Sequence, residues 1–164
     1  MKNEFIKHIK KLILLLVVFI FCSCQSNKDE KFEILKDNVS KLNALISLVE
    51  NNYKTEFINR QGKNRIVFSH FENKGFESND FIYDRKVIDE MDVLNIQEIR
   101  FENVKSNCNG NHGFTEIYFV LKDESFNEAI SYLFEYCGAR KEYNSATISY
   151  KPLNNNWGLY VESD

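Results

Sequence analysis

The stretch FTEIYFVL, residues 114–121, decides the fold class of this chain. Three large apolar side chains recur at every second position, at Ile117, Phe119 and Leu121. A period of two is typical of a β-strand that turns one face toward a core. The chain therefore contains a sheet, and the segments on either side are interpreted relative to this strand.

Alternating patterns predict further strands both before and after residues 114–121. The upstream strands are expected at 64–72, 81–83 and 96–104, with a turn or short helix through Val87, Ile88, Met91 and Leu94. Downstream, residues 146–150 and 157–161 predict a hairpin that turns at Pro152 and 154–156. The inward residues of this hairpin are Ala146, Ile148, Tyr150, Trp157, Leu159 and Val161.

Two segments carry the three-to-four spacing of an amphipathic helix. Residues 30–58 present one stripe, formed by Phe32, Leu35, Val39, Leu42, Ile46, Val49 and Tyr53. Residues 123–137 present another, formed by Phe126, Ile130, Leu133, Phe134 and Cys137, and Gly138 is a natural helix stop. The long stripe fits a helix packed along a sheet, since it is wider than a coiled-coil seam, and a coiled-coil dimer is the alternative.

The order of these elements predicts an α+β fold. Strands joined by short connections favour antiparallel pairing. We expect a two-layer sandwich, with an antiparallel sheet of about five strands and both helices on one face. The globular part is a single domain over residues 30–164, with a polar tether at 24–29.

The N-terminus resembles a bacterial lipoprotein signal peptide. A lysine cluster precedes the apolar run 12–21, and Ser23 lies just before Cys24. Phe21 stands where the lipoprotein pattern usually has leucine. The resemblance implies cleavage after residue 23 and lipidation of Cys24. An ordinary secretory signal and an uncleaved membrane anchor are the alternatives, although the apolar run is shorter than the ~20 residues that span a bilayer.

The tether supports a location at the outer membrane. The segment Lys28-Asp29-Glu30 resembles the acidic export tags of surface lipoproteins in the Bacteroidetes group. Gln25, rather than aspartate, follows Cys24, whereas aspartate at that position is linked to inner-membrane retention in enterobacterial lipoproteins. Two or three acyl chains give stable anchoring, so a lipidated Cys24 would hold the protein at the membrane.

Charge excludes one class of partner. Loss of residues 1–23 removes four lysines and one glutamate, which changes the net charge from −3 to −6. A net acidic protein repels phosphate backbones, so nucleic-acid binding is not expected. A basic protein partner would suit this charge.

Two cysteines remain for the mature domain if Cys22 is cut away and Cys24 is lipidated. In an oxidising envelope Cys108 and Cys137 are candidates for a disulfide, which would stabilise the fold by about 3–4 kcal/mol in the chain-entropy description. The alternative is two reduced thiols. Cys108 also shares a polar loop with His112, and this pair is a candidate nucleophile site or half of a metal site.

Other candidate residues point to binding or to structure. Tyr118 and Tyr160 are strand tyrosines expected on the solvent side of the sheet, where they are candidates for partner binding. His70 continues a strand pattern and is expected to be structural. Two candidate ligands fall short of the three or four that a zinc site uses, so no metal or cofactor is expected.

The sequence favours a non-enzymatic envelope lipoprotein that binds a protein partner. It contains no phosphate-binding loop, nucleophile elbow or zinc-protease motif. Two alternatives stay open: an immunity or inhibitor protein against a secreted toxin or enzyme, and a hydrolase that uses Cys108 and His112. The sequence leaves the oligomeric state undecided.

Overall fold

A computed structural model describes residues 2–59, 65–70, 81–104, 114–122 and 128–163. Within the first range the side chains of residues 28–57 are described. The chain divides into two compact units, Met1–Ile34 and Leu35–Asp164. The first unit holds the N-terminal part of a long helix, and the second holds the rest of that helix and the sheet. Over the described residues, no helix combines the length and the apolar character that crossing a membrane requires.

Within the described residues the elements are two helices and eight strands. The helices are α1 (Lys2–Asn59) and α2 (Arg85–Val93). The strands are β1 (Arg65–Ser69), β2 (Phe81–Ile82), β3 (Ile96–Glu102), β4 (Glu116–Leu121), β5 (Glu128–Glu135), β6 (Tyr143–Asn144), β7 (Ile148–Pro152) and β8 (Trp157–Ser163). They form one sheet in the order β2-β1-β3-β4-β5-β8-β7-β6. Among these described strands, β1 and β2 pair in parallel and the other neighbours pair antiparallel.

One face of the sheet packs against α1 and is named the helix face here. The register aligns Phe68 with Ile99 and Phe101 with Ile117, so these side chains share that face. On α1, the ring centroid of Tyr53 lies 5.1 Å from that of Phe68. The ring centroid of Phe57 lies 5.0 Å from that of Phe101. This face continues across the sheet through buried Phe119, Ile130, Tyr132, Trp157, Leu159 and Val161.

The apolar stripe predicted for the long helix is confirmed. Leu35, Leu42 and Val49 are fully buried at a spacing of seven residues. The helix is interrupted at Tyr53, which has a non-helical backbone (φ −114°, ψ 17°). The Tyr53 hydroxyl donates a hydrogen bond to the Asp84 carboxylate, which caps α2. This contact joins α1 to α2. The segment through Val87, Ile88 and Met91, for which a turn or a short helix was predicted, is helical.

The prediction of a helix over residues 123–137 is wrong. Glu128–Glu135 is strand β5, and the second helix is α2 instead. Strand β5 lies in the middle of the sheet, and residues on both of its faces are buried, among them Ile130, Ser131 and Tyr132. A strand buried on both faces loses the alternating pattern, and a short apolar run then fits either period. Gly138 does not end a helix but has a positive φ of 89° in the turn after β5.

The sheet has eight strands rather than about five. One additional strand is β5 itself. Another is β6, whose two residues pair with β7 and are too few to show any period. The α+β class and the predominantly antiparallel pairing are confirmed.

The predicted hairpin is present as β7 and β8, but its two strands do not turn the expected residues to one face. Trp157, Leu159 and Val161 lie on the helix face, whereas Tyr150 pairs with Tyr160 on the opposite face. Tyr150 is nevertheless buried, because the sheet is covered locally on that side as well.

Candidate binding face and its buried ion cluster

The sheet face opposite the helix face carries Tyr118, Tyr150 and Tyr160, and we name it the tyrosine face. Tyr118 and Tyr150 form a buried cluster with Leu133. The Tyr160 ring meets the Tyr118 ring edge-on, with centroids 5.5 Å apart. Tyr143, from the edge strand β6, stacks on Tyr150 at 6.0 Å. The rings therefore support one another, and side chains held in this way lose little further freedom when a partner binds.

A glycine makes room for one of these rings. A Cβ built on Gly158 would lie 2.4 Å from Cζ of Tyr150, a distance that no ordinary contact allows. Gly158 pairs with Leu133 and lies beneath the Tyr150 ring. The absence of a side chain at Gly158 thus lets Tyr150 lie flat over the sheet.

Two glutamates are fully buried on the tyrosine face. Glu116 of β4 and Glu135 of β5 face one another directly in the register, and each side chain has 0% exposure. Like charges opposite each other on neighbouring strands are destabilising, and burial of a carboxylate adds a desolvation cost. Such a pair requires compensating donors.

Arg140 supplies much of that compensation. Its Nη2 donates to Glu116 Oε1, its Nε donates to Glu135 Oε1 at 3.1 Å, and its backbone N–H donates to Glu135 Oε2 at 2.9 Å. The hydroxyl of Tyr118 donates to Glu116 Oε2 at 2.7 Å, and that of Tyr150 donates to Glu135 Oε2 at 2.8 Å. We call these five residues the ion cluster.

The ion cluster keeps its hydroxyls and its guanidinium protonated. Burial, followed by the hydrogen bond to Glu116, raises the pKa of Tyr118. Burial and the bond to Glu135 raise the pKa of Tyr150 in the same way. Burial alone would lower the pKa of Arg140, but the charges of Glu116 and Glu135 outweigh it and raise that pKa further. None of these three groups is suited to exchange a proton near neutral pH.

A second arginine stacks on the same face. The guanidinium carbon of Arg100 lies 5.1 Å from the Tyr118 ring centre, and that of Arg140 lies 5.7 Å from the Tyr150 ring centre. Arg100 also approaches Glu98 at 3.3 Å and Glu102 at 3.8 Å. Its Nε is buried and, within the described residues, has no hydrogen-bond partner of good geometry. The face thus presents guanidinium groups and aromatic rings side by side.

Several residues singled out from the sequence lie outside the described residues or side chains. Cys24 is in α1, but its side chain is not among those described, and Cys108 and His112 are outside the described residues. Cys137 is exposed in the turn after β5 and is disulfide-bonded. The pairing of Cys108 with Cys137 stays a prediction, since the partner sulfur is not among the described residues.

Tyr118 and Tyr160 lie on the face away from α1, as the sequence predicts, but they differ in accessibility. Tyr118 is only 7% exposed and its hydroxyl donates a hydrogen bond to Glu116. It therefore packs beneath the surface of the tyrosine face. Tyr160 is half-buried and offers part of its ring. Burial raises the pKa of Tyr160, so its hydroxyl stays protonated and able to donate a hydrogen bond.

His70 lies one residue beyond β1 and joins the sheet to α2. Its Nε2 is 2.9 Å from Asp92 Oδ1, and its Nδ1 is 3.1 Å from the carbonyl oxygen of Gln97. Lys122 also contacts Asp92 at 2.5 Å. These contacts fit the structural role expected of His70, and it has no part in the ion cluster.

Glu116, Glu135 and Arg140 were not among the candidate site residues predicted from the sequence. A signal was available for Glu116, because it occupies the same face as Tyr118 inside an apolar strand, where a carboxylate requires a partner. Glu135 was obscured by the incorrect helix over 123–137, since on a helix it would have been solvated. Arg140 lies outside any strand or helix, so no periodicity relates it to the two glutamates.

The ion cluster is a fixed set of hydrogen bonds on the tyrosine face. Within it, the carboxylates of Glu116 and Glu135 accept hydrogen bonds, and the tyrosine hydroxyls that donate to them stay protonated. In the described part of the chain, no three His, Cys, Asp or Glu side chains are grouped so that they could hold a metal ion.

No family model matches this chain, and neither the curated proteins nor the solved structures contain a significant match.

Proposed function

We propose that this protein is an envelope lipoprotein, anchored in the outer membrane through Cys24, that binds a protein partner with its tyrosine face. The order of lysines, apolar run, Ser23 and Cys24 supports the anchor. The observation that supports binding is the composition of the tyrosine face. Tyr160 packs on Tyr118 there, and Arg100 and Arg140 stack on tyrosine rings. Tyrosine and arginine are the residues most enriched among interface hot spots.

The ion cluster supports this proposal by making the face rigid. Arg140 ties the segment after β5 to two strands through both carboxylates. A surface whose side chains are ordered before binding loses less conformational entropy when the partner arrives. The hydrogen bonds of the ion cluster thus fix the positions of Tyr118 and Tyr150.

Site-specific cross-linking tests the binding proposal. A photoreactive amino acid in place of Tyr160 should cross-link to one discrete partner in intact cells. The matched control is Tyr83, which is 51% exposed but belongs to the segment between β2 and α2. Cross-linking of the same species from both positions, or from neither, would contradict the tyrosine face as the binding site.

An immunity or inhibitor function is the second candidate, favoured by the charge of the tyrosine face. Glu98 and Glu102 of β3 are half-buried there, and Glu162 of β8 is exposed. Together with the mature net charge of −6, these carboxylates suit a basic toxin or enzyme. A partner identified by the Tyr160 cross-link that is strongly basic, and whose binding weakens steeply with salt, would select this candidate.

A hydrolase based on Cys108 and His112 is the third candidate, and a double variant separates it from binding. We expect Cys108→Ser with His112→Ala to leave partner cross-linking at Tyr160 within about twofold, because the proposed binding uses neither a thiol nor an imidazole. The biological activity should then persist as well. Loss of that activity in a folded double variant, judged by circular dichroism, would favour the hydrolase instead.

A further inference from the structure

A groove of about 310 Å³ runs between α1 and α2, away from the tyrosine face. Ala44, Leu45 and Leu48 of α1 form one wall, and Val93 and Leu94 form the other. Val93 is 73% exposed, the largest exposure among the large hydrophobic side chains of the described residues. We propose that this groove is the contact surface of a twofold homodimer, in which each copy covers the groove of the other.

The charges at the rim of the groove favour a second copy as its occupant. Lys41 lines the groove from α1 and Glu90 lines it from α2. Within the described part of the chain, neither side chain has an ion-pair partner, although they border the same groove. A patch with one cation and one anion on opposite walls is complementary to itself. Twofold rotation brings Lys41 of one copy toward Glu90 of the other, and the reverse pair forms at the same time.

The groove also identifies which part of α1 can pair. The apolar stripe of α1, which predicted either packing on the sheet or a coiled coil, is buried within the monomer, since Leu35, Leu42 and Val49 are fully buried. The flank formed by Lys41, Ala44 and Leu48 is the part that stays accessible. A groove of this size gives a small interface, so a dimer held here is weak and depends on a high local concentration of copies.

Cysteine cross-linking of the full-length chain in intact cells tests the dimer directly. Val93→Cys, treated with a short bis-maleimide, should give a band at twice the monomer mass. The matched control is Val104→Cys, because Val104 is another exposed valine, at 55%, and it does not line the groove. The unmodified chain measures the background from its native cysteines. We expect the Val93→Cys dimer band to exceed both controls at least fivefold.

Charge reversal then tests the twofold arrangement. Lys41→Glu or Glu90→Lys, each combined with Val93→Cys, should reduce the dimer band about tenfold, because every reversal replaces two attractive contacts by two repulsive ones. The double reversal restores both attractions and should return the band to the level of Val93→Cys alone. Both side chains are exposed, so the reversals should leave the fold intact.

Three results would overturn the proposal. One is a Val93→Cys dimer band no stronger than that of Val104→Cys. Another is a cross-linked band whose mass fits a different protein. The last is a double reversal that fails to restore the band lost in the single reversals. None of these bears on the Tyr160 cross-link, so the dimer and the binding function stand or fall separately.

Discussion

Arg140 is the residue on which the tyrosine face depends. Two carboxylates with 0% exposure lie opposite each other on neighbouring strands, and a single guanidinium contacts both. Loss of one partner from a buried ionic group costs more than the group contributes, because it leaves charge uncompensated in a place with little water. Removal of all the charges together avoids that penalty.

We therefore predict opposite outcomes for single and triple substitutions in the ion cluster. Arg140→Met should lower the free energy of unfolding by about 3–5 kcal/mol, since both buried glutamates lose the guanidinium that contacts them. Adding Glu116→Gln and Glu135→Gln should recover a large part of that loss. Urea unfolding followed by circular dichroism measures both.

The control for this prediction is Arg85→Met, because Arg85 is exposed and its contacts, with Asp89 and Tyr83, are at the surface. It should change stability by no more than about 0.5 kcal/mol. If Arg140→Met and Arg85→Met cost the same, the ion cluster does not hold the tyrosine face together.

At the scale of elements, the helix α2 begins at a carboxylate with three donors. Asp84 accepts from the backbone N–H of Lys86 at 2.7 Å and of Val87 at 3.2 Å, and also from the Tyr53 hydroxyl. The first two bonds satisfy N–H groups that the first turn of a helix leaves without partners. The third joins α2 to α1 at the residue where α1 departs from helical geometry.

This cap predicts a pH-dependent contribution from Asp84. The hydrogen bond from Tyr53 is the main cause that lowers the pKa of Asp84 below 3.8. A carboxyl with a lowered folded pKa stabilises the fold fully above its unfolded pKa, and this contribution is lost as the pH falls through the lower folded value. Asp84→Ala should cost about 1–2 kcal/mol at pH 7.

The difference between the native chain and Asp84→Ala should shrink as the pH is lowered below 3.8. Denaturant titrations at several pH values measure it. Asp89→Ala, on the exposed side of α2, is the control and should cost about 0.5 kcal/mol or less. A difference that stays constant down to pH 2 would show that the Asp84 carboxylate does not act as the cap.

The strand β3 and the helix α1 were predictable because each has one buried and one more exposed face. The strands β1 and β4 are buried on both faces, but their large apolar residues still recur at every second position. β5 was not predictable, because its apolar residues also fit a helical spacing of three and four. The ion cluster could not be predicted for a different reason. The side chains of Glu116, Glu135 and Arg140 come into contact only when β4 pairs with β5.

At the scale of the whole molecule, the proposed anchor, dimer groove and tyrosine face use different parts of the chain. The anchor uses Cys24, the groove lies between α1 and α2, and the tyrosine face is on the other side of the sheet from the helix face. Cleavage after residue 23 would give a net charge of −6, which would disfavour nucleic acid and suit a basic partner. This division allows each function to be removed without the others.

The last prediction concerns the anchor. Cys24→Ala should release the protein from the membrane or leave it as uncleaved precursor, because acyl chains contribute about 0.8 kcal/mol per buried CH₂. Cys22→Ala is the matched control: it changes a cysteine two residues away and should leave the protein membrane-bound. Mass spectrometry of the N-terminal peptide should find Cys24 as an acylated first residue. An unmodified Cys24 inside a cleaved chain would rule out the lipoprotein proposal and leave an ordinary secreted protein in its place.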